Sequence, residues 1–292
     1  MVRLPSPSRG FRPAGDFGCG ASRPSPEALL GRPSQRRART ARCLRSRTRI
    51  GGRRMIPDIS SLLDGVRSVV EGCMPAVEQR RFDIRWKADG SPVTEADVFL
   101  ERRITEWLSE RLPQLTLIGE ETFVESASCG PRQGWVAVLD PIDGTENFCS
   151  GLKEWGVSLS IWNGADHAGS LLMLPELGDH MITGRPIRRV RSRITGFSSS
   201  IHPAIISGIA DAGEARIFGC AVYNMFNVTR GALSRFVNPK GARAWDLLAG
   251  LMLARENGCD ILIDGNEFDG SFLEPDRRYR IDIRHRYDFH PG

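Results

Sequence analysis

The run Trp135-Val-Ala-Val-Leu-Asp140-Pro-Ile-Asp143-Gly-Thr145 constrains this chain more than any other stretch. Residues 135–139 form a short apolar run without alternation, which predicts a strand buried on both faces. Two carboxylates close it, separated by Pro141 and Ile142. Proline fixes its own φ and biases the preceding residue away from helix, so the chain is expected to turn at Asp140 as it leaves the sheet. Gly144 permits positive φ or close backbone approach, and Thr145 offers a hydroxyl. Hard oxygen ligands converging on one turn, beside an N–H-rich Gly-Thr step, suit Mg²⁺ together with a phosphate group. Standing alone, an Asp-x-x-Asp-Gly segment is more often a surface turn. Asp97, Glu120 and Asp246 keep it from standing alone.

Around this run the periodicity resolves into further elements. Ile59, Leu62, Leu63, Val66, Val69, Val70, Cys73, Met74 and Val77 recur at three and four residues, the apolar stripe of a helix ending near Arg81. Trp86 to Pro92 is loop chemistry by its Asp-Gly and Ser-Pro steps. Thr94 and Asp97 are spaced as a capping box opening a second helix, with Val98, Ile104, Trp107 and Leu108 inward and Pro113 beyond its end. A carboxylate in that first turn can cap the helix or face a cation, and the spacing allows both. Strands are expected at 115–118, 135–139, 157–162 and 259–263. Further helices are expected at about 222–229 and 244–257, the last followed by Gly258 in the usual C-terminal position. Residues 164–217 are hard to parse; they include a basic run from Arg185 to Arg193. Strands and helices alternate without a regular βαβ rhythm, so layered, mixed-sheet α/β is expected rather than a doubly wound fold.

The net charge of +5 conceals two unlike regions. Residues 1–54 hold 14 arginines, no lysine, and only Asp16 and Glu27 as acids, leaving 26 basic against 33 acidic residues in the remainder. The first segment is rich in Ser, Pro, Gly and Arg without hydrophobic periodicity, so it is expected to stay disordered and outside a folded domain at 55–292. Three readings of it stay open: a start that is not native, with translation beginning at Met55; an organelle transit peptide; or a nucleic-acid arm. The acidic body is a poor platform for nucleic acid. Seven scattered cysteines without a C-x-x-C pair, and five histidines without HExxH spacing, argue against a disulfide framework or a soft-ligand metal centre. A reducing, cytoplasmic setting is the expectation, with no apolar stretch near the roughly 18 residues of a membrane span.

Glu120 ends one strand, Asp140 and Asp143 end another, and Asp246 opens a helix, positions that can meet at one edge of layered sheets. Two charges 4 Å apart repel by roughly 4 kcal/mol at an effective dielectric near 20, so such a cluster makes physical sense with divalent cations in it. Gly119-Glu120-Glu121, Asp140-Pro-Ile-Asp143-Gly-Thr145 and Trp245-Asp246-Leu-Leu-Ala-Gly250 resemble, in order and spacing, three motifs of the inositol monophosphatase family. Thr94-Glu-Ala-Asp97 matches a weaker fourth element and Gly219-Cys-Ala221 a fifth, so the resemblance covers roughly residues 58–265.

The resemblance implies an αβαβα sandwich, usually homodimeric, of two packed halves with the break near 150–200. It implies an Mg²⁺-dependent, often lithium-sensitive phosphomonoesterase acting on a small phosphorylated metabolite. Carried over position by position, Glu120, Asp140 and the Ile142 carbonyl would hold a first Mg²⁺, and Asp140, Asp143 and Asp246 a second. Asp97 would approach a third, weaker ion. Glu120 and Thr145 would orient and deprotonate the attacking water, while the N–H groups of Gly144 and Thr145 grip the phosphate. Gly219, Ala221, Asp143 and Asp246 would face the substrate. Inositol-preferring members place a Glu shortly before Trp-Asp; here residues 232–245 contain no acid, only Asn238 as a polar substitute. Phe148-Cys-Ser-Gly151 resembles a segment of histidinol-phosphate phosphatases of the same superfamily, so these and bisphosphate nucleotidases are alternatives for the substrate. Haloacid-dehalogenase enzymes use Asp-x-Asp, a spacing this chain does not reproduce. A catalytically silent regulatory or RNA-binding protein is the alternative of another class, and no ligand position is missing here to favour it.

Overall fold

The computed structural model describes residues 58–124 and 134–287. The expectations for residues 1–54 lie outside them. The chain begins with α1 (Ile59–Gln79), the hairpin strands β1 (Ile84–Trp86) and β2 (Pro92–Thr94), and α2 (Glu95–Ser109). It continues through β3 (Thr116–Gly119), β4 (Trp135–Asp143), α3 (Thr145–Cys149), β5 (Gly156–Asn163), β6 (Asp166–Leu174) and β7 (Asp179–Ile182). Then come β8 (Ile194–Phe197), α4 (Pro203–Asp211), β9 (Glu214–Ile217), α5 (Ala221–Thr229) and β10 (Arg235–Ala242). The last elements are α6 (Ala244–Glu256), β11 (Asp260–Ile263), β12 (Asn266–Glu267) and β13 (Tyr279–Arg284).

Two sheets dominate. One runs β3-β4-β5-β6-β7, parallel between β3 and β4 and antiparallel elsewhere. The other runs β12-β11-β13-β10-β8-β9, parallel on both sides of β8. Alternation along β4 explains the layering. Trp135, Ala137 and Leu139 pack with α1 and α2, whereas Val136 and Val138 pack with α5 and α6 on the opposite face. Helix α6 is apolar all round and buried from Ala244 to Ala254 apart from Asp246, as befits a helix lying between two sheets. Helix α4 contacts β10, completing the order α1/α2, sheet, α5/α6, sheet, α4. The layered αβαβα arrangement expected from the sequence is present.

Two expectations need correction. Val98, expected to face inward on α2, is exposed. The chain does not turn at Asp140: β4 continues to Asp143, pairing Asp140 with Ser158 and then, after a register shift, Asp143 with Gly156. Pro141 has no N–H for the ladder, and the irregular stretch is where a strand tolerates that loss. The turn falls instead at Gly144, whose φ is +86°. Residues 164–217, which showed no period, hold β6 to β9 and α4, mostly pieces of four residues. Among the described residues no helix is long and apolar enough to cross a membrane.

Candidate metal and phosphate site

The five acids reach the site from four places in the chain, two of them on β4. Glu120 follows β3, and its N–H donates to the Leu139 carbonyl at 3.1 Å, tying the exits of β3 and β4 together. Asp140 and Asp143 flank the β4 irregularity, Asp246 lies in the first turn of α6, and Asp97 in the first turn of α2. Carboxylate oxygens of Glu120, Asp140 and Asp246 all lie within 4.8 Å of one another. Burial, then the neighbouring carboxylates, push Asp246 up to about 8 and hold Asp140 well above the usual carboxylate range. Asp140 Oδ1 accepts from the Ile142 N–H at 3.0 Å, but among the described residues its buried Oδ2 has no partner. Such an acceptor, set among further carboxylates and without nitrogen or sulfur donors, fits a hard cation such as Mg²⁺.

Three of the acids also tie down helix starts. Asp97 Oδ2 accepts from the Thr94 N–H at 2.8 Å and hydroxyl at 2.6 Å, while Oδ1 lies 3.2 Å from Thr145 Oγ1. The capping box is therefore real, and the same carboxylate reaches the site with its other oxygen. Asp246 Oδ2 accepts from the Arg243 N–H at 2.7 Å at the start of α6. Asp143 Oδ2 accepts from the Val222 N–H at the start of α5 and from Cys220 Sγ at 2.8 Å. Burial raises Asp143 to about 6 against those bonds, and Asp97 likewise to about 6. Capping fixes each side chain's rotamer; of the three, only Asp246 belongs to the group of carboxylates within 4.8 Å, while Asp97 reaches Thr145 and Asp143 stands beside it.

Gly144 is required where it stands: besides its positive φ, a Cβ there would come 2.8 Å from Cys220 Cβ. Thr145 Oγ1 lies 3.0 Å from the Ile142 carbonyl. With one hydrogen and two acceptors, Asp97 and Ile142, the hydroxyl donates to one at a time. Gly219, Cys220, Ala221, Asp143 and Asp246 line a cavity of about 160 Å³ beside the cluster, with Asn238 across it.

Two residues were not identified from the sequence. Lys87 Nζ lies 2.7 Å from Glu120 Oε1 and 2.9 Å from Glu121 Oε1. Burial pulls Lys87 down, but the two glutamates outweigh it and hold its pKa above the ordinary lysine value. Glu121 is raised to about 7, by burial first and then by Glu120. Glu101, buried in α2, accepts from the Glu121 N–H at 3.1 Å and from Thr122, holding the turn that presents Glu120. A Cβ on Gly119 would lie 2.5 Å from the Glu101 carboxylate, so glycine at 119 lets that carboxylate in. Loop position gave no signal for Lys87; the i+4 spacing from Asp97 to Glu101 along α2 was the only one for Glu101.

The basic run is engaged away from the site. Arg185 pairs with Asp64, Arg189 donates to the Asn257 carbonyl at 3.0 Å, and Arg193 lies 3.3 Å from Glu214. A larger cavity of about 810 Å³ adjoins the cluster, lined by Trp86, Val93, Val98, Leu117 and their neighbours. It shares Lys87 and Glu121 with the site but none of the three clustered carboxylates, so chemistry follows the acids rather than the volume.

The sequence model of the inositol monophosphatase family matches residues 66–185. A 3′(2′),5′-bisphosphate nucleotidase CysQ of Aggregatibacter actinomycetemcomitans is 32% identical over 102 residues, 34% of this chain and 37% of that protein. A histidinol-phosphatase of Chlorobaculum parvum is 33% identical over 126 residues, 43% of this chain and 47% of that protein. The chain thus spans less than half the length of these two curated relatives. An IMPase/NADP phosphatase solved with NADP and Ca²⁺ superposes with a TM-score of 0.65 at 17% identity, over 78% of this chain and 90% of that one. At that identity the likeness is one of fold.

Proposed function

We propose that this chain, whose residues 66–185 match the sequence model of the inositol monophosphatase family, belongs to that family and is an Mg²⁺-dependent phosphomonoester hydrolase acting on a small phosphorylated metabolite. The observation that carries this reading is the buried, unpartnered Asp140 Oδ2 set between Glu120 and Asp246. Glu120, Asp140 and the Ile142 carbonyl are the proposed holders of one Mg²⁺; Asp140, Asp143 and Asp246 of a second; Asp97 stands nearest a third, weaker position. When bound, Mg²⁺ supplies Lewis acidity, neutralising phosphoryl oxygens and making a water more acidic.

The chain's own groups do the rest. Glu120 and the Thr145 hydroxyl orient the attacking water, whose proton goes to the Glu120 carboxylate or, through the hydroxyl as it gives up its own hydrogen, to Asp97. Asp97, 3.2 Å behind that hydroxyl, fixes its direction. The N–H groups of Gly144 and Thr145 hold phosphate oxygens as charge builds on them during in-line displacement. Gly219, Ala221, Asp143 and Asp246 face the leaving alcohol. We read residues 55–292 as one phosphatase domain of two packed halves, divided between β7 and β8. Homodimeric assembly and lithium sensitivity are carried into this reading from the family resemblance, and a cytoplasmic setting from the scattered cysteines.

A phosphate-release assay tests it, with inositol 1-phosphate, histidinol phosphate, fructose 1,6-bisphosphate and 3′-phosphoadenosine 5′-phosphate, with Mg²⁺ and with chelator. Release from at least one ester that vanishes on chelation is the expected result. Release indifferent to chelator, or none from any ester, would count against the proposal.

A further inference from the structure

The 160 Å³ cavity beside the acid cluster carries one feature that the hydrolytic reading does not use: Arg278 on its rim. Its chain neighbours Arg277 and Arg280 both pair with Asp264, at 2.6 and 3.1 Å. Arg278 makes no hydrogen bond or ion pair among the described residues; its charge is felt at longer range by Asp246 and Asp89. Asp89 is itself bonded within its own turn, to the Ser91 N–H at 3.0 Å and hydroxyl at 2.6 Å.

The backbone seats Arg278 there. Buried Asn238 accepts from the Gly241 N–H at 3.0 Å, fixing the irregularity of β10. Gly241 has φ +89°, and a Cβ on it would lie 3.1 Å from the Tyr279 backbone and 3.3 Å from Arg278 Cβ. Only glycine lets the start of β13 close so tightly on the cavity wall. Ser198 also lines the cavity, and among the described residues its buried Oγ has no partner, although the Ser198 N–H is satisfied by the Val237 carbonyl at 3.1 Å. A buried hydroxyl without a partner is disfavoured, and a ligand oxygen would satisfy it. The only acids lining the cavity are Asp143 and Asp246, both assigned above to cations.

We propose that this cavity is a leaving-group subsite selecting a small phosphate ester with a second anionic group, carboxylate or phosphate, which Arg278 meets while Ser198 bonds a hydroxyl or anion oxygen. Guanidinium offers a planar fork matched to both anions, and a cationic leaving group would face it unfavourably. The volume is below the 300–1,000 Å³ range common for larger ligands, which suits a leaving group of a few carbons. This inference rests on the phosphatase reading of the same site.

The test compares kcat/KM for 3-phosphoglycerate, glycerol 1,3-bisphosphate, glycerol 3-phosphate and phosphoethanolamine in the wild type, Arg278→Lys, Arg278→Ala and Arg278→Glu. The wild type should prefer an anionic ester over glycerol 3-phosphate by about tenfold or more, with phosphoethanolamine poorest. Arg278→Ala should lower that ratio about tenfold, Arg278→Glu should invert it, and Arg278→Lys, which keeps the charge but loses the fork, should fall between wild type and Arg278→Ala. The anion whose ratio falls further is the native group. Calorimetric binding of the same esters with Ca²⁺ in place of Mg²⁺ reads the subsite without turnover. Anion-selective binding lost in Arg278→Ala, with no hydrolysis of any ester, would sustain the subsite and sink the phosphatase reading. Hydrolysis or binding whose charge ratio is the same in wild type and Arg278→Ala overturns the subsite.

Discussion

Asp140→Asn is expected to lower Mg²⁺-dependent turnover by on the order of a thousandfold or more and, in the same protein, to raise the stability of the metal-free fold. The two effects share one cause. Asp140 is buried, its Oδ2 has no partner among the described residues, and Glu120, Asp143 and Asp246 all act against its ionisation. Asparagine keeps an oxygen for the Ile142 N–H, now at 3.0 Å from Oδ1. It also turns the orphaned acceptor into an N–H₂ donor facing carboxylates. Relieving one buried charge there is worth about 1–3 kcal/mol, or roughly 2–10 °C in a chain of this size. Melting curves in chelator and phosphate-release rates in Mg²⁺ check both halves. Loss of activity with a fall in melting temperature would mean that Asp140 serves packing rather than cation binding.

The second large effect is a crossing of pH and metal. Asp97, Asp143, Glu121 and Asp246 sit at about 6, 6, 7 and 8 when folded, all above their values in the unfolded chain. A carboxyl raised on folding binds its proton more tightly in the native state, so the fold loses stability as pH climbs from the unfolded value through the folded one. That window runs from about 4 to about 8. The cluster therefore costs the metal-free fold stability at pH 8 that it does not cost at pH 5. Mg²⁺ should remove most of that cost, whereas at pH 5 the carboxyls are largely protonated and the cation gains little. The Mg²⁺-induced rise in melting temperature should therefore be larger at pH 8 than at pH 5 by on the order of 5–10 °C. Equal rises at both pH values would show that these acids do not bind the ion.

Much of this was legible in the sequence where one physical rule acted alone. The stripe of α1, the capping box of α2 and the apolar run of β4 each follow from local pattern and hold in the fold. The acids at 120, 140 and 246 could be placed together because strand ends and helix starts share an edge of a layered fold. The turn at Asp140 was misplaced because proline's bias was read without the neighbouring strand. Pairing with β5 on either side of Pro141 overrides that bias. β13 was overlooked although its signal was present: Tyr279, Ile281 and Ile283 alternate with Arg280, Asp282 and Arg284, and only the first set is buried. Lys87 and Arg278 could not be found from local pattern. The partners of Lys87 are distant in sequence, the cavity that Arg278 lines is built by other elements, and a long cation in a polar loop looks the same whether it meets solvent or a cluster of acids.

The central claim is that Glu120, Asp140 and Asp246 share a divalent cation, and anomalous scattering from crystals soaked in Mn²⁺ tests it most directly. The account predicts a peak in contact with carboxylate oxygens of all three residues, beside Thr145. Strong Mn²⁺ peaks elsewhere on the protein, with none among these three side chains, would contradict it.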